Sequence, residues 1–124
     1  MNPIKIEICG EMKYEKHIYK ILSEQPIQIV IIESFKLFPW KSKTLYWSNL
    51  RTVEIIGAIK GYCSILNLPF ILQDPNVKKF YDDKKLKFLN MYEKESPHLR
   101  DAIRHGLYYL HFKLKKEIKP YVTS

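Results

Sequence analysis

The chain has 124 residues, a formal net charge of +8 at pH 7, and 46% hydrophobic and 14% aromatic residues. This length is typical of one domain with one core, and we predict a single domain over residues 1–124. A membrane span needs about 20 apolar residues, and the N-terminus lacks an apolar signal core, so we expect a cytoplasmic protein without a membrane partner. The excess of Lys and Arg over Asp and Glu favours an anionic partner, most commonly nucleic acid.

The first third of the chain reads as a strand, a helix and a second strand. Alternating isoleucines predict a short strand over residues 4–10, and helical spacing of apolar residues predicts a helix over 13–23. An unbroken β-branched run at 29–32 indicates a strand buried on both faces. This strand ends at Glu33. Ligands bind outside the carboxyl ends of strands in open α/β sheets, so Glu33 is either a site residue or a cap for the next loop.

The segment after this strand, residues 35–47, mixes five aromatic residues with three lysines. Aromatic rings between basic residues can stack on bases while lysines neutralise phosphates, which makes Lys41 and Lys43 candidate DNA contacts. The alternative is a loop whose rings pack on the sheet edge. For Phe35 and Phe38 we favour packing.

The middle of the chain predicts a helix, a strand and two short helices. The first helix is capped by Ser48 or Asn49, ends near residue 66 and carries two glycines four residues apart that suit a close sheet or dimer contact. Residues 70–72 form a short strand, residues 75–80 a short helix, and residues 82–90 a basic helix on the surface. The two cysteines, Cys9 and Cys63, lack metal-type spacing and are expected to be reduced and buried.

The last helix has the clearest signals. Ser96 is a good N-cap and Pro97 a good first residue, and leucines and isoleucine at helical spacing form an apolar stripe. His98 and Asp101 lie three residues apart and share a face beside that stripe, followed one turn later by His105. From about residue 113 we expect a solvated basic tail.

Two carboxylates and an imidazole form the candidate catalytic set: Glu33, Asp101 and His98. Together they can hold Mg²⁺ or Mn²⁺, which suits metal-assisted phosphodiester hydrolysis near a basic surface. Alternatively, loop N–H groups satisfy Glu33, the helix dipole favours Asp101, and His98 is a surface residue.

Four segments in the order VIIESFKLFPWKSKTLYWS, VEIIGAIKG, LPFILQDPNVKK and SPHLRDAIRHGLYYL resemble phage-type relatives of the RuvC Holliday-junction resolvases. The resemblance implies an α/β RNase H-like fold, a mixed sheet with flanking helices, and a homodimer that cuts branched DNA with divalent metal. It matches Glu33 to the family's strand-ending acid, and His98 and Asp101 to its C-terminal helix motif. It places Lys78 where the family has a lysine after a Gln-x-Pro turn, and a phage-encoded protein would act in the host cytoplasm.

The chain departs from this family at its start, because no segment matches the first strand and its Asp-x-Gly sequence. We therefore expect an N-terminally truncated domain that lacks one metal ligand, which should weaken hydrolysis. It would also expose a sheet edge, which a homodimer or a separately encoded N-terminal piece could cover.

Three functions follow as hypotheses. The first is a Mg²⁺-dependent, structure-selective DNA endonuclease whose Lys41, Lys43, Arg51 and Lys78 meet phosphates. The second is an impaired relative that binds branched DNA or a partner chain without cutting. The third is an assembly role through the helix over residues 49–66.

Overall fold

The computed structural model describes residues 15–35 and 47–120. They fall into two compact units, an N-terminal unit (15–35 and 47–74) and a C-terminal unit (75–120). The elements in chain order are α1 (Glu15–Glu24), β1 (Val30–Glu33), α2 (Trp47–Leu66), β2 (Phe70–Gln73), a 3-10 helix (Pro75–Phe80), α3 (Asp83–Phe88), α4 (Pro97–Tyr108) and a π-helical turn (Tyr109–Lys113). None of the described helices is both long and apolar enough to cross a membrane. The strand predicted over residues 4–10 lies outside the described residues.

The sheet of the N-terminal unit pairs β1 with β2 in parallel, with Val30 opposite Phe70 and Glu33 opposite Gln73. The pairing continues past the strand end, where the Ser34 N–H donates to the Gln73 carbonyl at 2.8 Å. Parallel strands need a long crossover, and α2 supplies it. The predicted α/β class and both of these strands are confirmed. The described chain is mostly helical, with this small two-stranded sheet. The RNase H-like topology stays a prediction.

Burial of β1 is lower than the sequence indicated. Only Ile32 is buried, and the other three residues of the strand are half-buried. The prediction of a strand buried on both faces was therefore wrong for the described chain. The physical reason is that Val30 packs against the core between α1 and α2, whereas Ile31, which points to the other face, belongs to no buried cluster among the described residues.

The core of the N-terminal unit forms between α1 and α2. Ile18 and Leu22 of α1 pack with Cys63 of α2, whose side chain is completely buried. Cys63 is a free thiol, as predicted, and burial raises its pKa. The other cysteine, Cys9, lies outside the described residues. The helical spacing read from residues 13–23 is thus confirmed as α1, and its apolar face is the one that is buried.

The helix α2 begins at Trp47, so Ser48 and Asn49 lie within its first turn instead of capping it. Its two glycines, Gly57 and Gly61, are exposed, and a Cβ atom at either would meet nothing within 4 Å. Close packing on these glycines, one of the roles expected for them, is therefore absent among the described residues.

The core of the C-terminal unit joins α3 to α4. Leu86 and Leu89 follow each other at helical spacing and pack with Tyr81 and Leu107. The predicted short surface helix is confirmed as α3, five of whose six residues are exposed, but the complete burial of Leu86 was not predicted. Leu86 is the one buried residue of α3 and Leu89 follows as its C-cap, so charged neighbours obscured this apolar contact in the sequence.

The start of α4 is confirmed as predicted. Ser96 has extended backbone geometry, and its hydroxyl accepts a hydrogen bond from the Leu99 N–H at 3.1 Å, with Pro97 as the first helical residue. At the other end, the helix widens into the π-helical turn, and the Leu114 N–H donates to the Tyr109 carbonyl at 3.1 Å. This turn was not predicted from the sequence.

Candidate functional site

The three predicted metal ligands fall in different units. Glu33 is half-buried and is the last residue of β1, as expected, in the N-terminal unit. His98 and Asp101 lie on α4 in the C-terminal unit, where His98 is exposed and Asp101 is half-buried. Within the described ranges, no cluster of three or more His, Cys, Asp or Glu side chains is arranged to hold a metal ion. The structure therefore brings Asp101 together with other residues of its own unit, and these define the candidate site.

Asp101 is the centre of an ion-pair network. Its Oδ2 atom lies 3.3 Å from Lys78 Nζ, and its Oδ1 atom accepts a hydrogen bond from Arg104 Nη1 at 2.9 Å. The Lys78 and Arg104 side chains are only 28% and 14% exposed, so these pairs are shielded from water more than ordinary surface pairs. Lys78, predicted as a phosphate contact, thus contacts the carboxylate that was predicted as a metal ligand.

Arg104 connects α4 to α3 and to the short link before α3. Its Nε atom donates to the Tyr81 carbonyl at 2.7 Å, and its Nη2 atom pairs with Asp83 at the start of α3. Together with the bond to Asp101, the guanidinium uses its rigid fork of donors to tie α4 to the segment before and within α3. Sequence reasoning missed Arg104, although its spacing of three residues from Asp101 was a usable signal.

The network forms one wall of an open depression of about 640 Å³ in this unit. Its charged lining combines four cations with three carboxylates: Lys78, Lys79, Lys84, Arg104, Asp82, Asp83 and Asp101. Each carboxylate already has a partner, since Asp82 accepts the Lys85 N–H at 2.9 Å as the N-cap of α3. Lys79 and Lys84 form no ion pair with any carboxylate among the described residues. The depression therefore presents net positive charge to an incoming anion.

An aromatic cluster adjoins this depression through Lys79. Tyr108 of α4 and Phe112 of the π-helical turn stack with ring centroids 4.8 Å apart. Phe80, at the end of the 3-10 helix, contacts both rings, at 5.6 Å and 5.1 Å. Lys79 Nζ lies 5.6 Å from the centroid of the Phe80 ring, within the range of a cation–π interaction.

Tyr81 and His111 connect the aromatic cluster to the core of the C-terminal unit. The Tyr81 hydroxyl lies 3.0 Å from Nδ1 of His111, and the Tyr81 side chain is buried in the core, which raises its pKa. Lys85 Nζ donates to the Phe80 carbonyl at 2.9 Å, fixing the end of the 3-10 helix. These bonds fix the backbone that presents the rings.

Basic charge is concentrated in the same unit. The stretch 75–120 contains twelve Lys and Arg against six Asp and Glu. Of the other predicted phosphate contacts, Arg51 is on α2 and pairs with Glu54 at 3.5 Å. Lys41 and Lys43 lie outside the described residues, as does Phe38. Phe35, which was expected to pack, is 39% exposed.

No protein-family model matches the chain, and neither a curated protein nor a solved structure gives a significant match. The resemblance to RuvC-type resolvases thus depends on its motifs alone. Of the residues that carry these motifs, Glu33 closes β1, Lys78 lies on the 3-10 helix that follows Gln73, and His98 and Asp101 lie on α4.

Proposed function

We propose that this protein processes branched DNA as a metal-dependent endonuclease of the RuvC-like type. The observation that carries the proposal is the setting of the two predicted acids. Glu33 closes a parallel strand, and Asp101 lies near the start of a capped helix, beside two cations and next to a positively charged depression. Carboxylates at such positions, together with cations that can face phosphates, are what phosphodiester hydrolysis requires.

Carboxylates are the donors that a hard divalent cation takes. The resemblance assigns Mg²⁺ or Mn²⁺ to Glu33, Asp101 and His98, and the ion would supply an activated water and charge neutralisation at the leaving oxygen. Lys78 and Arg104 balance the charge of Asp101. A DNA phosphate would compete for these two cations and so make the carboxylate oxygens of Asp101 available for coordination. This couples metal binding to DNA binding.

The proposal is tested with a labelled four-way DNA junction and Mg²⁺ or Mn²⁺. We expect cleavage by the unmodified protein, and loss of cleavage in Glu33→Gln and in Asp101→Asn, because each substitution removes a metal ligand. Junction binding, measured in EDTA, should be retained in both variants.

The matched control is Glu24→Gln, which removes an exposed carboxylate at the end of α1 and should leave cleavage unchanged. Cleavage that survives in both Glu33→Gln and Asp101→Asn would contradict the assignment of the metal site. Loss of junction binding in these variants would show that the acids act on folding or DNA binding instead.

A second candidate is a protein that binds branched DNA without cutting it. The specific observation in its favour is that both carboxylate oxygens of Asp101 are already engaged by cations. Junction binding without nicking, at any Mg²⁺ or Mn²⁺ concentration that leaves the protein folded, would select this candidate.

A further inference from the structure

We propose that the rings of Phe80, Tyr108 and Phe112, here called the aromatic platform, bind unpaired nucleic-acid bases by stacking. The inference rests on the proposed function in that it names the part of a branched DNA that this unit would recognise. It adds a binding site that is separate from the predicted metal ligands. It concerns single-stranded segments, such as those where the arms of a junction open.

The platform has the geometry of a stacking surface. Three rings lie within 5.6 Å of one another, and the Tyr108 and Phe112 planes are only 28° from parallel. Phe80 and Phe112 keep 39% and 37% of their surface exposed. The exposed parts of these two adjacent rings form an apolar, aromatic surface on which a base can stack.

The platform is also rigid. Tyr108 and Phe112 are four residues apart, which places them on the same side of the helix end, and the Tyr81–His111 hydrogen bond ties the π-helical turn to the core. A ring held in place loses little conformational entropy when a base stacks on it.

Charge identifies the ligand as nucleic acid. Lys79 lies over the Phe80 ring, Lys85 over the Tyr81 ring at 5.8 Å, and Lys113 directly follows Phe112 as an exposed residue. Aromatic rings among cations are the combination that binds single strands, because bases stack while lysines neutralise the phosphates between them. An apolar protein segment would gain nothing from these lysines.

The test measures binding of a fluorescent oligothymidine by the full chain in EDTA. Phe112→Leu and Phe80→Leu keep an apolar side chain but remove the π face. We expect each to weaken binding by about five- to a hundred-fold, the loss typical of one base–aromatic stack. The dependence of affinity on salt should stay the same, because the phosphate contacts remain. Phe88→Leu is the matched control, because Phe88 is 74% exposed on α3 and is not part of the platform. This variant should bind oligothymidine as tightly as the unmodified protein does.

A second ligand makes the test independent of protein variants. An abasic oligomer with the same number of phosphates should bind the unmodified protein more weakly than oligothymidine by a similar factor. Equal affinity for both ligands, or Phe112→Leu and Phe80→Leu variants that bind like Phe88→Leu, would overturn the proposal. Ring-dependent binding of polyglutamate without binding of oligothymidine would also overturn it, and would assign the platform to an acidic protein partner.

These outcomes are separable from those of the proposed function. The assay contains no metal and no scissile junction, so a protein that never cleaves DNA can still show stacking that depends on Phe112. Conversely, junction cleavage together with ring-independent binding of oligothymidine would leave the nuclease proposal standing and remove the platform.

Discussion

Arg104 shows how one side chain organises the candidate site. Its guanidinium contacts Asp101, Asp83 and the Tyr81 carbonyl, and the side chain is only 14% exposed. Hydrogen bonds to charged groups contribute more to stability than neutral ones, and they contribute most when water is excluded. Arg104 therefore stabilises the C-terminal unit and also sets the position of the acid on which the metal proposal depends.

We expect Arg104→Met to lower the free energy of unfolding by about 1.5–3 kcal/mol, because it removes charge-assisted bonds and leaves the Tyr81 carbonyl without that donor. Urea denaturation measures the change. The control is Arg51→Met, since Arg51 is 42% exposed and pairs with a Glu54 that is 67% exposed. Such a pair contributes at most about 1 kcal/mol. Equal losses in the two variants would show that Arg104 is an ordinary surface residue.

The sequence singled out Asp101 as a candidate site residue, but it did not predict that Lys78 and Arg104 contact its carboxylate. The spacing of Asp101 on a helix is a local property, and local spacing can be read directly. Lys78 lies 23 residues earlier, and its contact with Asp101 exists only because the 3-10 helix packs against α4. Nothing in the residue pattern specifies that packing, so Lys78 was assigned to phosphate from the resemblance alone.

Among the elements, those with strong local signals were predicted well. The cap at Ser96, the helical spacing that became α1 and the run ending at Glu33 were each confirmed close to their predicted bounds. The predicted surface helix is confirmed as α3, but the core position of Leu86 was not predicted, because four of the six residues of α3 are charged. The π-helical turn has no sequence signature in its composition, and the aromatic platform that depends on it could not be predicted.

The core role of α3 leads to a prediction. Leu86 is completely buried among Tyr81, Leu89 and Leu107, so Leu86→Ala should lower the free energy of unfolding by about 2–5 kcal/mol through lost burial and a residual cavity. Phe88→Ala removes a larger side chain from the same helix, but one that is 74% exposed, and should cost less than about 1 kcal/mol. Thermal and urea unfolding of both variants measure the difference. Equal losses in the two variants, or a larger loss in Phe88→Ala, would contradict the core role of Leu86.

For the proposed binding of DNA by the whole molecule, the position of the positive charges matters more than the net charge. The chain carries +8, and the stretch 75–120 has twice as many basic as acidic residues. The same stretch contains the depression with Lys79 and Lys84 and the aromatic platform. If DNA contacts this surface, the dependence of binding on salt should depend on where a lysine is removed. If only net charge matters, the position of the lysine should be irrelevant.

Two single substitutions separate these cases. Lys84→Gln and Lys20→Gln each remove one positive charge from an exposed helical lysine, the first in the C-terminal unit and the second in the N-terminal unit. We measure the slope of log K against log salt for binding to a four-way junction in EDTA. Loss of one phosphate contact reduces the magnitude of this slope by about 0.9 on duplex DNA, so Lys84→Gln should show that change. Lys20→Gln should leave the slope unchanged. Equal changes in the two variants would mean that the protein attracts DNA through its overall charge and that the C-terminal unit has no privileged contact surface.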